Sequence, residues 1–285
     1  MFTHADQPMT APMVRNGFIL ALASALLFCS LGATQATAAP QAATRDPQAL
    51  TLIASSLQAL TGGVAITDVT LQASAAYVAG SDEESGTATL IASGNQQSLV
   101  TLGLTGGQRQ EIRNGPAGAW SGPDGTVQAM ATHNCWTDAS WFFPTLTLEA
   151  ISSNPQIAVS YLGSDTAKGR PLLHVQVGQV VAGQDPGMAA WILALSAMDL
   201  YLDPQSFLPQ VLDFKLHPDT DANRSIPVEI QFGNFQKVSG GLVPFSIQKY
   251  IQGTLTLNFA VTNVAVNSGV PQSDFAVPPT TGGQS

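Results

Sequence analysis

The sequence predicts a mainly β protein whose strands pair in the antiparallel sense. The longest stretch that supports this prediction is residues 198–275, where apolar and polar residues alternate and turn residues recur at short intervals. Val228, Ile230 and Phe232 alternate with polar neighbours, which is typical of a sheet with one wetted face. Residues 66–130 alternate in the same way, and the short connections favour antiparallel pairing. We count about a dozen strands, interrupted by a few segments with helical spacing.

Composition limits the classes of partner. The chain of 285 residues is 45% hydrophobic and only 10% charged, and its formal net charge is -9. Its few lysines and arginines are scattered, so neither nucleic acid nor an anionic membrane surface is expected to bind it. The length and the apolar fraction are sufficient for one large domain with its own core.

The N-terminus carries the pattern of a secretory signal peptide. An apolar run at residues 18–31 follows Arg15 and is too short to span a bilayer comfortably. Small residues follow it, and a signal peptidase prefers small side chains before the cut, so we expect cleavage after Ala38. This predicts a signal peptide over 1–38 and a single domain over 39–285, located in the periplasm.

Two alternatives remain for this N-terminus. The apolar run is either cleaved or retained as a membrane anchor, although no stop-transfer flank follows it. Cys29 lies in a sequence that superficially resembles a lipoprotein cleavage box, but Phe28 is too large for the position before it. Met13 would begin a signal of more ordinary length than Met1. If Cys29 is removed, Cys135 is the only thiol and no intramolecular disulfide can form.

The first element of the mature chain is an amphipathic helix over residues 47–60. Asp46 is suited to cap its N-terminus, Pro47 fits the first turn, and Gly62 follows its end. An apolar stripe at helical spacing gives it one face to bury: Leu50, Ile53, Ala54, Leu57 and Leu60.

The alternation stops between residues 132 and 153. Trp136 to Phe143 have helical spacing, so we predict a helix there that Pro144 ends, followed by a shorter helix over 146–151. Trp141, Phe142 and Phe143 exceed what one helical stripe can hide, so at least one should meet another apolar surface or a cavity. Strands are then predicted at 156–162 and 171–181, with a short apolar helix at 187–195 before the last run of strands.

Motifs that carry catalysis are missing from the sequence. There is no Gly-x-Ser-x-Gly elbow for a nucleophile, and no His-Glu-x-x-His or Cys-x-x-Cys pair for a metal. His133, His174 and His217 are far apart in the chain, which favours structural roles. We therefore expect a protein without catalytic residues, metal or cofactor.

Four ordered features resemble one known family. They are the helix after the signal, the long strand over 66–77, the segment Leu-Tyr-Leu-Asp-Pro-Gln-Ser-Phe-Leu-Pro at 200–209, and the ending Asp-Phe-Ala-Val-Pro at 274–278. Together they resemble the LolA/LolB-like family of bacterial periplasmic lipoprotein carriers, which includes the RseB-type sensors. The resemblance implies a strongly curved antiparallel sheet, an unclosed barrel, whose concave face is covered by helices and encloses an apolar cavity for acyl chains.

The resemblance also implies the function to be tested. The leading hypothesis is a periplasmic carrier that holds a lipid, an acyl chain or a lipid-modified protein, touching membranes only transiently. The alternative is an envelope sensor or scaffold that uses the same fold to bind a protein partner. Candidate cavity residues are the large apolar side chains on helical covers or late strands: Trp136, Phe143, Trp191, Phe235 and Tyr250.

Overall fold

The computed structural model describes residues 43–281, and these contain thirteen strands and three α-helices. The helices are α1 (Pro47–Thr61), α2 (Pro144–Ser153) and α3 (Pro186–Leu195). The strands are β1 (Asp68–Ala79), β2 (Asp82–Ser93), β3 (Gln97–Leu104), β4 (Gly107–Asn114), β5 (Ala117–Ser121), β6 (Val127–Ala129), β7 (Ile157–Asp165), β8 (Leu172–Gln179), β9 (Met198–Leu202), β10 (Pro209–Leu216), β11 (Ile226–Val238), β12 (Gly241–Ile251) and β13 (Thr254–Val266). The predicted signal peptide and Cys29 lie outside these described residues.

All thirteen strands form one antiparallel sheet that does not close into a barrel. Their order is β6-β5-β4-β3-β2-β1-β13-β12-β11-β10-β9-β8-β7. Each half of the chain therefore folds as a meander of neighbouring strands, and the halves join where β1 pairs with β13, for example at Leu71 and Val264. This confirms the predicted fold class: a mainly β protein with an unclosed antiparallel sheet and helices.

The edges of this sheet explain the position of the least regular part of the chain. β6 and β7 are consecutive in sequence but lie at opposite edges, so residues 130–156 must pass from one edge to the other. We call this stretch the crossing segment. Every residue from Thr137 to Leu148 is buried within it. The crossing segment thus fills much of the concave face, and α1 packs beside α2 there.

The predicted helix over Trp136 to Phe143 is wrong. Only one 3-10 turn, Thr132–Cys135, precedes a stretch of turns, and Pro144 begins α2 rather than ending a helix. Proline is well suited to the first turn of a helix because the N–H it lacks would have no intrahelical partner there. Trp141, Phe142 and Phe143 are 1%, 0% and 1% exposed. An irregular backbone enclosed on all sides can bury three consecutive aromatic rings, which a one-sided helix cannot.

Helix α1 matches its prediction closely. The Asp46 carboxylate accepts the N–H of Gln48 at 2.8 Å, and also that of Tyr161 on β7 at 3.0 Å. These backbone donors hold the pKa of Asp46 below its ordinary value. Gly62 ends the helix in the left-handed conformation. The buried stripe is rotated from the predicted one, with Ala54 exposed and Ser56 buried.

The remaining elements fall within three residues of their predicted positions. β10 begins only at Pro209, because Phe207 has a positive φ of 57° and belongs to the preceding turn. Helix α3 is present, capped by Asp185. No helix within residues 43–281 is long and apolar enough to cross a membrane.

Candidate functional site

An apolar cavity of about 250 Å³ opens at one end of the covered concave face. Its walls come from the end of α1, the hairpin between β11 and β12, the end of β13 and the crossing segment. Most lining side chains are aliphatic or aromatic: Leu60, Thr61, Val64, Ile66, Phe143, Thr145, Val238, Ser239, Gly241, Leu242, Val243, Val266 and Asn267. Val64 is 59% exposed, so an apolar side chain stands at the rim of the opening.

Close contact between α1 and the β11–β12 hairpin shapes one wall. A Cβ placed on Gly241 would lie 2.8 Å from the carbonyl oxygen of Leu60, nearer than real Cβ atoms come. Only glycine lets the two backbones approach this closely. The turn before it, Ser239-Gly240, also has positive φ at both residues. The β11–β12 hairpin therefore packs directly on the C-terminal end of α1, and the cavity lies next to this contact.

The crossing segment forms the floor of the cavity and is anchored at its far end. Phe143 and Thr145, at the start of α2, reach the cavity. At the C-terminus of α2 the Arg45 guanidinium donates to the carbonyl oxygens of Ile151 at 2.6 Å, Asn154 at 2.6 Å and Ile157 at 2.9 Å. A cation at this position satisfies carbonyls that the helix cannot and complements its dipole.

Deeper in the concave face the crossing segment covers a group of buried charges. Arg113, only 1% exposed, donates from Nε to Glu111 Oε1 at 2.9 Å and from Nη1 to Thr137 Oγ1 at 3.0 Å. Lys249 on β12 is 5% exposed, and its Nζ lies 4.2 Å from the centre of the Trp141 ring. Burial alone raises the pKa of Glu111, but the Arg113 and Lys249 charges outweigh burial and hold that pKa below its ordinary value.

Asp138 is the other buried carboxyl of the crossing segment. Its Oδ1 accepts the Ser140 N–H at 2.7 Å and the Ser140 hydroxyl at 2.6 Å. Its Oδ2 has no well-formed hydrogen bond, although the Thr147 hydroxyl lies beside it. Burial raises the pKa of Asp138 to about 6. This carboxyl therefore changes charge in a mildly acidic range.

The five candidate cavity residues do not meet at one place. Phe143 lies in the apolar cavity. Trp136 packs edge-to-face on Trp191 of α3, with ring centres 5.7 Å apart, beside a gap of only about 20 Å³. Phe235 is half-buried and packs against the main core. Tyr250 lines a different pocket, on the outer face of the sheet.

Sequence reasoning missed this outer pocket of about 470 Å³. Asp213 on β10 lies directly opposite both Asp199 on β9 and Glu229 on β11, and Glu229 lies opposite Tyr250. Carboxylates directly opposite one another repel. Lys168 offsets this repulsion, with its Nζ 2.6 Å from both Asp213 Oδ2 and Glu229 Oε2. The sequence does not reveal this outer row of carboxylates, Asp199, Asp213 and Glu229, because the row depends on the register of the strands.

Two further groups are tied to the same outer row. His174 lies 2.8 Å from Asp199 Oδ1, and its ring stacks on Tyr201 with centres 4.4 Å apart. Burial first, then the Asp213 and Asp199 charges, raise the pKa of Tyr201 to about 12. A phenol held neutral and a lysine already bound by two carboxylates favour a structural role for these groups over a catalytic one.

The other nucleophile and histidines also have structural partners. Cys135 is buried and burial raises the pKa of its thiol, which makes it a poor nucleophile. The rings of His133 and His217 meet edge-on at 5.9 Å, and Asn134 bonds both the N–H and the carbonyl of His217. Across the described part of the chain, no group of three or more His, Cys, Asp or Glu side chains is placed to hold a metal ion.

Comparison with known proteins yields structural matches only. No protein-family model matches the chain, and a search of curated proteins finds no match. A LolA superfamily protein from Nitrosomonas europaea superposes with a TM-score of 0.50 at 10% identity, covering 80% of this chain and 96% of that one. A domain named for outer membrane lipoprotein sorting, from Vibrio parahaemolyticus, gives 0.49 at 12% identity, with coverages of 80% and 96%. A DUF1329 family protein from Desulfovibrio piger gives 0.47 at 11% identity, with coverages of 80% and 95%.

These identities are low, so the likeness concerns the fold. The resemblance noted in the sequence, to the LolA-like half-barrel, is confirmed at that level.

Proposed function

We propose that this chain is a periplasmic binding protein that holds an acyl chain, free or attached to a lipid or protein, without catalysis. The observation that carries the proposal is the apolar cavity between α1 and the β11–β12 hairpin, which opens to solvent at Val64 and has Phe143 as its floor. Ligand pockets are typically concave, largely apolar and rimmed by a few polar groups. The LolA-like fold supports the same reading.

The size of the cavity sets a condition on how it works. Its volume of about 250 Å³ lies just below the range of about 300 to 1,000 Å³ typical of pockets for small ligands. A long acyl chain therefore needs more room than this closed form offers. The crossing segment occupies the adjoining space and Phe143 borders the cavity, so loading requires Phe143 to move aside.

The compartment follows from the N-terminus. Residues 1–38, with their apolar run and small residues before Ala38, support export as a cleaved signal peptide. N-terminal sequencing of the protein recovered from a periplasmic extract should begin at Ala39. A full-length chain retained with the membrane would contradict this part of the proposal.

The binding function is tested by purification without detergent followed by native mass spectrometry. The carrier hypothesis expects co-purifying acyl species, removable by organic extraction, and saturable binding of a fluorescent fatty acid by the extracted protein. A ligand-free protein that also fails to bind the fatty acid would rule the hypothesis out.

One observation favours a second candidate, an envelope sensor or scaffold. Helix α3 has no charged side chain and presents Met188, Trp191 and Leu193 with 40%, 39% and 38% of their surfaces exposed. Exposed apolar groups of this size often mark contacts between proteins. A partner retained from an envelope extract by the wild-type protein, and lost with Trp191→Ser, would support it; no difference between the two would count against it.

A further inference from the structure

The interior of the apolar cavity offers no charge to a ligand. Its lining lies wholly within the described residues and includes no acidic or basic side chain. Its polar side chains are all neutral: Thr61, Thr145, Ser239 and Asn267. The Thr61 hydroxyl is already used, since it donates to the Leu57 carbonyl oxygen at 2.9 Å and accepts the Gly63 N–H at 3.1 Å. A charged head group placed inside would therefore lose its water and gain no ion pair.

Hydrogen bonds hold the walls of this cavity together. The Asn267 side chain accepts the Thr67 N–H at 2.8 Å and donates to the Ala65 carbonyl oxygen at 2.9 Å, which binds the α1–β1 connection to the end of β13. Beside it, Asp68 is 5% exposed and its carboxylate accepts the Ser268 N–H at 2.7 Å. On the opposite side, α1 and the β11–β12 hairpin are in backbone contact. These walls cannot separate unless the bonds between them break.

Phe143 is the large side chain of the floor that borders the cavity. The aromatic rings behind it are fixed in the main core: Trp141 meets Phe142 edge-on with ring centres 5.5 Å apart, and lies 6.5 Å from Phe259. Displacement of Phe143 would add the space of one ring to a volume of about 250 Å³. The result stays near the lower limit of about 300 Å³ for a pocket that binds a small ligand. Two long chains do not fit within it.

We propose that the cavity takes the apolar end of a single acyl chain, tail first, and leaves the head group in solvent near Val64. The ligand class is then single-chain amphiphiles, such as fatty acids, lysophospholipids and monoacylated peptides, and it excludes lipids with two or more chains. This inference rests on the proposed function and specifies its ligand. A two-chain lipid that left a bilayer would bury one chain and expose the other to water, at a cost that grows with every methylene.

The number of chains is tested with vesicles that contain equal amounts of palmitoyl lysophosphatidylcholine and dipalmitoyl phosphatidylcholine. These two lipids have the same head group and the same acyl chain, and they differ in the number of chains. Protein extracted of lipid is incubated with the vesicles, separated from them and examined by native mass spectrometry. The lysophospholipid should be bound in at least about tenfold excess, because each methylene left in water costs about a factor of four.

The orientation is tested by displacement of a bound fluorescent fatty acid. Palmitate and methyl palmitate should displace it with affinities within about threefold of each other, because the group that differs between them stays in solvent. Hexadecanedioic acid carries a second carboxylate at the far end of its chain. It should bind at least about thirtyfold more weakly than palmitate, because this carboxylate would enter an interior without a cation.

Two substitutions on β13 test whether the chain enters this cavity. Val266 lines the cavity, whereas Val264 lies on the same face of the strand and does not. Val266→Phe fills part of the cavity and should weaken palmitate binding by at least about tenfold, since several methylenes lose their place. Val264→Phe should bind palmitate as the wild type does. Circular dichroism checks the fold of both variants, and the comparisons of lipids in wild-type protein stand without them.

The outcomes separate this inference from the proposed function. Equal binding of the one-chain and two-chain lipids, or equal binding of palmitate and hexadecanedioic acid, overturns the inference and leaves acyl binding intact. A difference of more than about tenfold between palmitate and its methyl ester would place the head group inside and would also overturn it. Wild-type affinity in a folded Val266→Phe variant would move the chain to another site. Failure to bind any of these lipids overturns the proposed function, and the inference with it.

Discussion

If Phe143 must move aside for a ligand to enter, then Phe143→Ala should destabilise the empty protein and tighten ligand binding together. Phe143 is 1% exposed, and truncating a buried phenylalanine costs about 3 to 5 kcal/mol. Because the side chain already borders a cavity, we expect the lower end, about 3 kcal/mol. The loaded form, in which Phe143 is displaced, would not suffer this loss.

The expected gain in affinity follows from that difference. A penalty of about 3 kcal/mol that falls only on the empty form corresponds to binding that is tighter by up to about a hundredfold. Urea denaturation measures the free energy of unfolding, and titration with the fluorescent fatty acid measures the affinity. Because the empty variant is less stable, both measurements belong at a temperature well below its transition.

Phe142→Ala is the matched control. Phe142 is 0% exposed and adjacent in the chain, but it does not line the cavity. It should cost a similar free energy of unfolding and leave the affinity near that of the wild type. If the two variants change affinity equally, or if Phe143→Ala weakens binding, then Phe143 does not close the site and the reasoning from cavity volume is refuted.

Three further predictions concern the parts that hold the site together. Arg45→Met removes three hydrogen bonds that the guanidinium donates to carbonyl oxygens around the end of α2. The free energy of unfolding in urea should fall by about 2 kcal/mol. An unchanged midpoint would show that these hydrogen bonds do not contribute to stability. Asp138 has a folded-state pKa of about 6 against 3.8 ordinarily, so the folded state holds the proton of this carboxyl more tightly than the unfolded state does. The stability of the wild type should therefore fall as the pH rises from about 4 to about 6, by up to about 3 kcal/mol relative to Asp138→Asn. Parallel pH profiles of stability for the two proteins would contradict the assignment. Gly241→Ala places a Cβ 2.8 Å from the carbonyl oxygen of Leu60 and should cost about 1 to 3 kcal/mol by thermal unfolding. Gly233→Ala is the control, because its φ is not positive and an added Cβ has no neighbour nearer than 3.8 Å. An equal loss of stability in both variants would contradict the collision.

The strands were predictable because their signals are local. A strand with one buried face must alternate every second residue, and turn residues mark its ends, so the alternation over 198–275 identified the region that contains β9 to β13. The start of α1 was equally clear, since Asp46 and Pro47 act on their immediate neighbours. Where a rule depends only on adjacent residues, the sequence contains the answer.

The prediction of a helix in the crossing segment was wrong for the opposite reason, because the conformation of this segment depends on distant residues. Helical spacing from Trp136 to Phe143 is a valid signal only if one face meets water, and here all sides are enclosed by the sheet and by α1. The prediction that at least one of Trp141, Phe142 and Phe143 would meet an apolar surface is confirmed at that general level, since all three are buried in the core. The backbone conformation of these three residues is set by the space between the sheet and α1.

The sequence by itself determined the antiparallel β architecture, the capped first helix and the expectation of an apolar interior, because each of these follows from periodicity and from short-range hydrogen bonding. Only the tertiary structure separated Phe143, which lines the cavity, from Tyr250, which lies on the outer face, and placed Lys249 beneath Trp141. Those positions depend on strand register and on how far the sheet curves. Both are decided by packing between residues more than a hundred positions apart, such as Trp141 and Lys249, and no local pattern records such contacts.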